Sequence, residues 1–233
     1  MATWRPATLT PTDARGPLPP HATAPPVRRR GLKLLERLLL VIGLICLGYY
    51  GYVLGESALY QAYETRELDK ILANGNASAY TEERVAPTAP RPRPATGSTL
   101  GRLEIPRLEV SAIVRAGSDA RTLQLAIGHI GGTALPGEEG NIGLAAHRDT
   151  FFRRLGEIRM NDEVRLVTPE GTFTYRVDGT QIVEPTDTWV LSPTKEPALT
   201  LVTCYPFRYI GSAPQRFIVR AQLTTTEARR HGL

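Results

Sequence analysis

The chain has 233 residues, enough for one ordinary globular domain with appended segments. Its formal charge is +5, and the first 37 residues account for all of it: Arg5, Arg15, Arg28, Arg29, Arg30, Lys33 and Arg37 stand against only Asp13 and Glu36. The remainder is neutral overall, which excludes a domain that holds nucleic acid by surplus positive charge, and two cysteines are too few for a disulfide framework.

Residues 1–30 are rich in Pro, Thr, Ala and Arg and have no apolar period, so they cannot offset their ordering entropy and read as a disordered cytoplasmic tail. Leu38 to Leu54 (LLLVIGLICLGYYGYVL) is seventeen residues long without a charge, close to the lower limit for crossing hydrocarbon. Tyr49, Tyr50 and Tyr52 look like an interfacial aromatic belt. The run is longer than the apolar stretch of a cleaved signal peptide and follows a long tail, so residues 31–60 read as a signal anchor: a single transmembrane helix. The basic flank precedes it, and Glu56, Glu64, Glu67 and Asp69 outnumber Arg66 and Lys70 beyond it. Positive charge stays inside, which predicts a cytoplasmic N-terminus and an extracytoplasmic C-terminal domain at the cell membrane.

Residues 61–98 then form a helix and a Pro-rich linker. Leu59, Tyr63, Leu68, Ile71 and Leu72 recur loosely at helical spacing up to Asn74-Gly75, predicting a short exposed continuation of the anchor helix. VAPTAPRPRPATGS over 85–98 favours an extended spacer. From Thr99 the pattern changes to short alternating runs broken by turn residues, the mark of an all-β barrel or sandwich. Strands are predicted at Leu100–Ile105, Ala112–Arg115, Asn141–His147, Glu163–Val167, Thr172–Ile182, Ala198–Cys204 and Gln215–Leu223, with one short helix over Asp119–Ile127. The domain covers 99–225, and 226–233 form a C-terminal tail.

Cys46 falls in the apolar run, leaving Cys204 as the single thiol of the β domain. A lone cysteine is most often a small buried hydrophobe, so its neighbours decide. Side chains alternate along a strand. Leu199, Leu201 and Thr203 therefore share one face, and Cys204 lies on the other. By the same parity Ile142, Leu144 and Ala146 face the core while His147 does not, and Phe217, Val219, Ala221 and Leu223 face it while Arg216 does not. Thiol, imidazole and guanidinium thus stand at the ends of three strands, each on the face opposite its strand's apolar set. Parity leaves open whether the three strands are neighbours. His129 is the competing histidine, in a Gly-rich turn; Arg148 and Asp149 read as a surface loop, and Glu138 and Glu139 as solvated turn residues.

The segment Thr200-Leu-Val-Thr-Cys204 matches the TLxTC pattern before the nucleophile of the sortases, and Cys204-Tyr-Pro-Phe resembles its class D continuation. Gly128 to Gly137 (GHIGGTALPG), Ala146 to Phe152 (AHRDTFF) and Ala213 to Val219 (APQRFIV) resemble other segments of that family, in the order His, Cys, Arg. Ala146 stands where many members have Gly. The resemblance covers about residues 100–223 and implies an eight-stranded sortase-like β-barrel with one or two short helices, acting as a cysteine transpeptidase. It further implies Cys204 as nucleophile, His147 as proton donor and Arg216 as cationic stabiliser. The implied substrates are secreted proteins with a C-terminal LPxTG-like sorting signal, the implied acceptor an amine such as a cell-wall precursor or a pilin lysine. No cofactor or metal is expected, and the residues leave Ca²⁺ dependence open. Two other classes use similar parts. A cell-wall cysteine hydrolase or L,D-transpeptidase also pairs Cys with His, but in a short Ser-His-Gly-Cys type segment, unlike the wide His147 to Cys204 separation. A non-catalytic, membrane-tethered β-domain would present the same groove as a binding surface.

Overall fold

The computed structural model describes residues 28–75 and 92–228. Residues 1–27, which make up most of the expected tail, residues 76–91, which include the first part of the expected spacer, and residues 229–233 lie outside the described residues; Arg28 to Arg30, expected in the tail, belong to a helix.

Helix α1 runs without a break over Arg28–Gly75 and ends at the Asn-Gly stop. It is the one helix among the described residues long and apolar enough to cross a membrane, and none of its apolar window is buried inside the protein. Leu39, Leu44 and Leu47 face outward over more than half their surface, an arrangement that water disfavours and hydrocarbon accepts. This helix is a candidate membrane anchor.

Two compact units divide the chain, Met1–Tyr49 and Tyr50–Leu233. In the second, the strands are β1 (Thr99–Ile105), β2 (Val110–Ala116), β3 (Ile127–His129), β4 (Asn141–Ala145), β5 (Glu163–Thr168), β6 (Gly171–Val183), β7 (Ala198–Tyr205) and β8 (Gln215–Ala228), with the short helix α2 at Ala120–Leu125. They close into a barrel in the order β1-β2-β3-β4-β7-β8-β6-β5. Closure removes exposed strand edges. The pairs β2–β3 and β4–β7 are parallel and the others antiparallel.

The eight strands agree with the architecture expected of the sequence, and all seven strands read from alternation are present. The alternation itself survives: in β1 the buried residues are Gly101, Leu103 and Ile105 with half-exposed ones between. Leu103, Val114, Ile142, Leu144, Leu166, Leu199, Leu201, Val219 and Ala221 share the barrel interior with Phe152 and Tyr175. Burying each of these larger apolar side chains contributes about 1.5–3 kcal/mol.

The eighth strand, β3, is absent from the sequence reading, and the expected helix is correspondingly shorter. Asp119 caps α2 by accepting from the Thr122 amide (3.1 Å) and hydroxyl (2.7 Å), which holds its carboxyl below the usual range. The helix stops at Leu125 because Ile127 to His129 joins β2 in parallel. Three residues with a central glycine carry no visible alternation. Gly128 is nonetheless required there, since a Cβ would meet the Gly117 carbonyl oxygen at 2.6 Å.

The continuation of α1 beyond Tyr50 is not exposed all round, contrary to expectation. Leu68 is 3% exposed and packs on Ile113 and Ala126, with Tyr60 and Leu72 alongside. Gln61 donates to the Leu125 carbonyl (2.7 Å) and accepts from the Ile113 amide (2.9 Å), a donor that the short β3 does not reach. Glu64 with Thr99 (2.7 Å), Asp69 with Arg102 (2.9 Å) and Tyr60 beneath the Arg115 guanidinium complete the seam. The helical period read from the sequence marks this face, but the barrel surface that receives it is assembled from β1, β2 and the end of α2.

Candidate active site

In the antiparallel ladder of β7 and β8, Cys204 lies directly opposite Arg216. On the other side of β7, β4 runs parallel with Ala145 opposite Val202. His147 follows two residues beyond that pair, after β4 has ended at Ala145. Cys204 and Arg216 thus share one row of paired strands, which Val183 of β6, opposite Arg216, continues, and the strand that leads to His147 lies on the other side of β7.

Each is held differently. Cys204 is half-buried near the end of β7. His147 is exposed and heads a turn rather than ending a strand, because β4 stops at Ala145 and the His147 carbonyl accepts from the Phe152 amide at 3.2 Å. Arg216 directs Nη1 at the carbonyls of Ala213 (3.3 Å) and Gln215 (3.0 Å). These acceptors occupy both hydrogens of Nη1. Among the described residues Nε and Nη2 have no protein partner, so half of the fork remains available to a ligand oxygen.

Thr203 packs into the core at 2% exposure, and its hydroxyl donates to the Ala146 carbonyl at 2.8 Å. This bond joins the residue before the thiol to the residue before the imidazole. Thr203→Val keeps the shape and removes the donor, a change costing about 1–3 kcal/mol where it strands a buried partner. We expect a lower thermal unfolding midpoint and a slower reaction; an unchanged midpoint would show that the hydroxyl merely packs.

The face carrying the row is not open to solvent beside it. Val202 and Ile218, which look out of phase in the sequence, form a second apolar cluster with Val183, Val190 and Leu191. A single 3₁₀ turn at Thr188–Leu191, in the β6–β7 connection, covers them. Buried Asn141 fixes that connection by donating to the Val190 carbonyl (3.0 Å) while accepting from the Thr200 hydroxyl (2.8 Å). Gly143 lets it approach closely, since a Cβ there would meet Leu191 at 2.9 Å. The result is a site with an apolar wall beside the thiol. Alternation could not reveal it, because the wall comes from a distant connection.

His129 is resolved as a structural residue. It is 4% exposed at the end of β3, with Nε2 2.9 Å from the Ala134 carbonyl and 3.1 Å from the Thr133 hydroxyl. Burial pushes its ring below the usual imidazole range, favouring the neutral form. Glu138 caps the turn through the Leu135 amide (2.8 Å) and meets Arg93 at 3.4 Å. Among the described residues no group of three or more His, Cys, Asp or Glu side chains is gathered as a metal site.

A family model, the sortase domain, matches residues 103–224. The chain is also 34% identical to Sortase D of Bacillus subtilis over 197 residues, covering 83% of this chain and 99% of that protein. This protein belongs to the sortase family. Sortases are cysteine transpeptidases, and the chain is accordingly an enzyme of that kind. Solved sortases share its fold. A Clostridium perfringens Sortase D5 transpeptidase aligns with a TM-score of 0.55 at 27% identity, covering 70% of this chain and 99% of that one. The SrtA sortase of Actinomyces oris aligns with a TM-score of 0.57 at 27% identity, over 66% and 94% of the two chains. The resemblance to class D members drawn from Cys204-Tyr-Pro-Phe agrees with the Sortase D relatives.

Arg148, read from the sequence as part of a surface loop, reaches across to the segment that follows β7. Its Nη1 donates to the Pro206 carbonyl (2.8 Å), and its Nη2 donates to those of Tyr209 (2.6 Å) and Gly211 (3.0 Å). Nothing in a charged residue after a histidine foretells acceptors about sixty positions away.

Proposed function

We propose that this sortase cleaves an LPxTG-like sorting signal near the C-terminus of a secreted protein and transfers the new acyl end to an amine, through a thioester on Cys204. The observation that carries the reading is the row itself: Cys204 and Arg216 opposite one another on paired strands, with His147 just past the end of the next strand, β4. The Cys204 thiolate attacks the carbonyl carbon of the signal's threonine, and Arg216 with nearby backbone amides stabilises the oxyanion. The threonine–glycine C–N bond breaks as His147, in its imidazolium form, gives its proton to the departing amine. An incoming amine then attacks the thioester, His147 takes a proton from it, and the C–S bond breaks to release Cys204 as the thiolate. The amine belongs to a cell-wall precursor or a pilin lysine.

The test uses the full-length protein in detergent micelles, a panel of sorting-signal peptides, and amine acceptors, with products read by mass spectrometry. A cleaved peptide joined to the amine, with a Cys204 adduct along the way, is the expected result. Thiol reactivity without any peptide cleavage across the panel would favour a binding module instead.

The basic residues before Leu38 support an anchor with its N-terminus in the cytoplasm and the barrel outside the membrane. In variants lacking Cys46 and Cys204, a reporter thiol at Ser78 should react with an impermeant reagent added to intact spheroplasts, and one at Thr10 should not. The reverse labelling would overturn the orientation.

A further inference from the structure

We propose that Arg148 is a positioning residue for this reaction: it ties the turn that carries His147 to the loop that follows Cys204, and so sets the imidazole against the thiol. The inference rests on the catalytic reading above, but its geometry is independent of it.

Sheet bonds between β4 and β7 end just short of the site. The last are the Ala146 amide to the Val202 carbonyl (3.3 Å) and the Thr203 hydroxyl to the Ala146 carbonyl. Beyond them β4 has ended while β7 continues to Tyr205 paired with β8, His147 is exposed, and no ladder bond couples it to Cys204. Arg148 bridges this gap. Its guanidinium collects the carbonyls of Pro206, Tyr209 and Gly211 and lies over the Tyr209 ring, 5.8 Å from the ring centre. Three carbonyls converge because the loop curls around the cation, with Gly211 at φ +98° supplying a backbone turn that favours glycine.

The same loop is seated from the other side by Phe207, which meets Phe217 edge-on at 5.3 Å and lies against Gly156, where a Cβ would meet its ring at 2.9 Å. The aromatic contact holds the loop to the barrel; the arginine holds it to the histidine turn. Among the described residues the hydrogen-bond partners of Arg148 are these carbonyls, with no carboxylate, so its charge is used on the loop dipoles. A planar fork serves several carbonyls at fixed angles, whereas a lysine ammonium is a compact point charge. Its Nη1 spends one N–H and its Nη2 both on loop carbonyls, and by that role it is a positioning rather than a catalytic residue.

The experiment compares wild type, Arg148→Lys and Arg148→Ala as full-length protein in micelles. The substrate is whichever sorting-signal peptide the wild type turns over fastest. Small misplacements of reacting groups cost up to about 100-fold in rate, so kcat should fall about 10- to 100-fold in Arg148→Ala. KM should change little, and Arg148→Lys should recover only part of the loss. Amide hydrogen exchange over 207–212 should rise in both variants. A kcat near the wild-type value in Arg148→Ala, a loss confined to KM, or full rescue by Arg148→Lys would each overturn the proposal. If Arg148→Ala does not fold, Arg148→Lys decides by the same criteria. Turnover retained by Cys204→Ala in parallel would overturn the catalytic reading itself, whereas unchanged exchange over 207–212 would overturn the tie alone.

Discussion

Cys204→Ala should bring acyl transfer to the background rate, a loss on the order of 10⁴- to 10⁶-fold in kcat, because no other group in the row can form the acyl intermediate. The barrel should survive. Cys204 is half-buried near a strand end, and its backbone pairing with Arg216 does not involve the sulfur. The unfolding midpoint should therefore stay within a few degrees of wild type, as is usual for changes away from the core. The mass of the peptide adduct should vanish with the activity, while Cys46→Ala, on the outward-facing apolar helix, should keep both. Turnover retained by Cys204→Ala would end the thioester mechanism for this chain.

Arg216→Ala is the second large effect. Its Nε and Nη2 donors, without a protein partner among the described residues, assist only once negative charge develops on the attacked carbonyl oxygen, so their loss should lower kcat more than it raises KM. Removal of one such donor typically costs about 10²- to 10³-fold, or roughly 3–4 kcal/mol of transition-state stabilisation. Arg216→Lys should rescue little, since an ammonium cannot both bind the Ala213 and Gln215 carbonyls and present a planar edge to the substrate. Steady-state kinetics and thermal unfolding on the same preparations separate the possibilities. A near-normal kcat with a lowered midpoint would mean that Arg216 serves only to brace the start of β8.

Much of this site is legible before any fold is known, for a local reason. Side-chain direction in a strand has a period of two, so Leu199 and Leu201 assign Cys204 to the outer face with no knowledge of what lies beside β7. The same holds for His147 through Ile142 and Leu144, and for Arg216 through Val219 and Ala221; all six apolar residues are in the core. The segment Thr200 to Cys204 then links that geometry to a family, and the match over residues 103–224 agrees. Where alternation is interrupted, the reading stops short: β3 is too brief to show a period, and Val202 and Ile218 break phase because a distant connection covers them.

The sequence by itself determined the apolar helix that is a candidate anchor, the β class, the strand faces of the three candidate site residues and the family resemblance, because each depends on composition or on neighbours a few positions apart. Only the tertiary structure decided that β4, β7 and β8 lie side by side, since β5 and β6 intervene in the chain and strand pairing depends on closing long loops rather than on local preference. It also decided that Leu68 is buried against Ile113, that Val190 and Leu191 wall the site, and that Arg148 grips the carbonyls of Pro206, Tyr209 and Gly211. Backbone carbonyls carry no sequence signature, so a side chain that binds them across some sixty residues becomes visible only when the folded chain brings the two segments together.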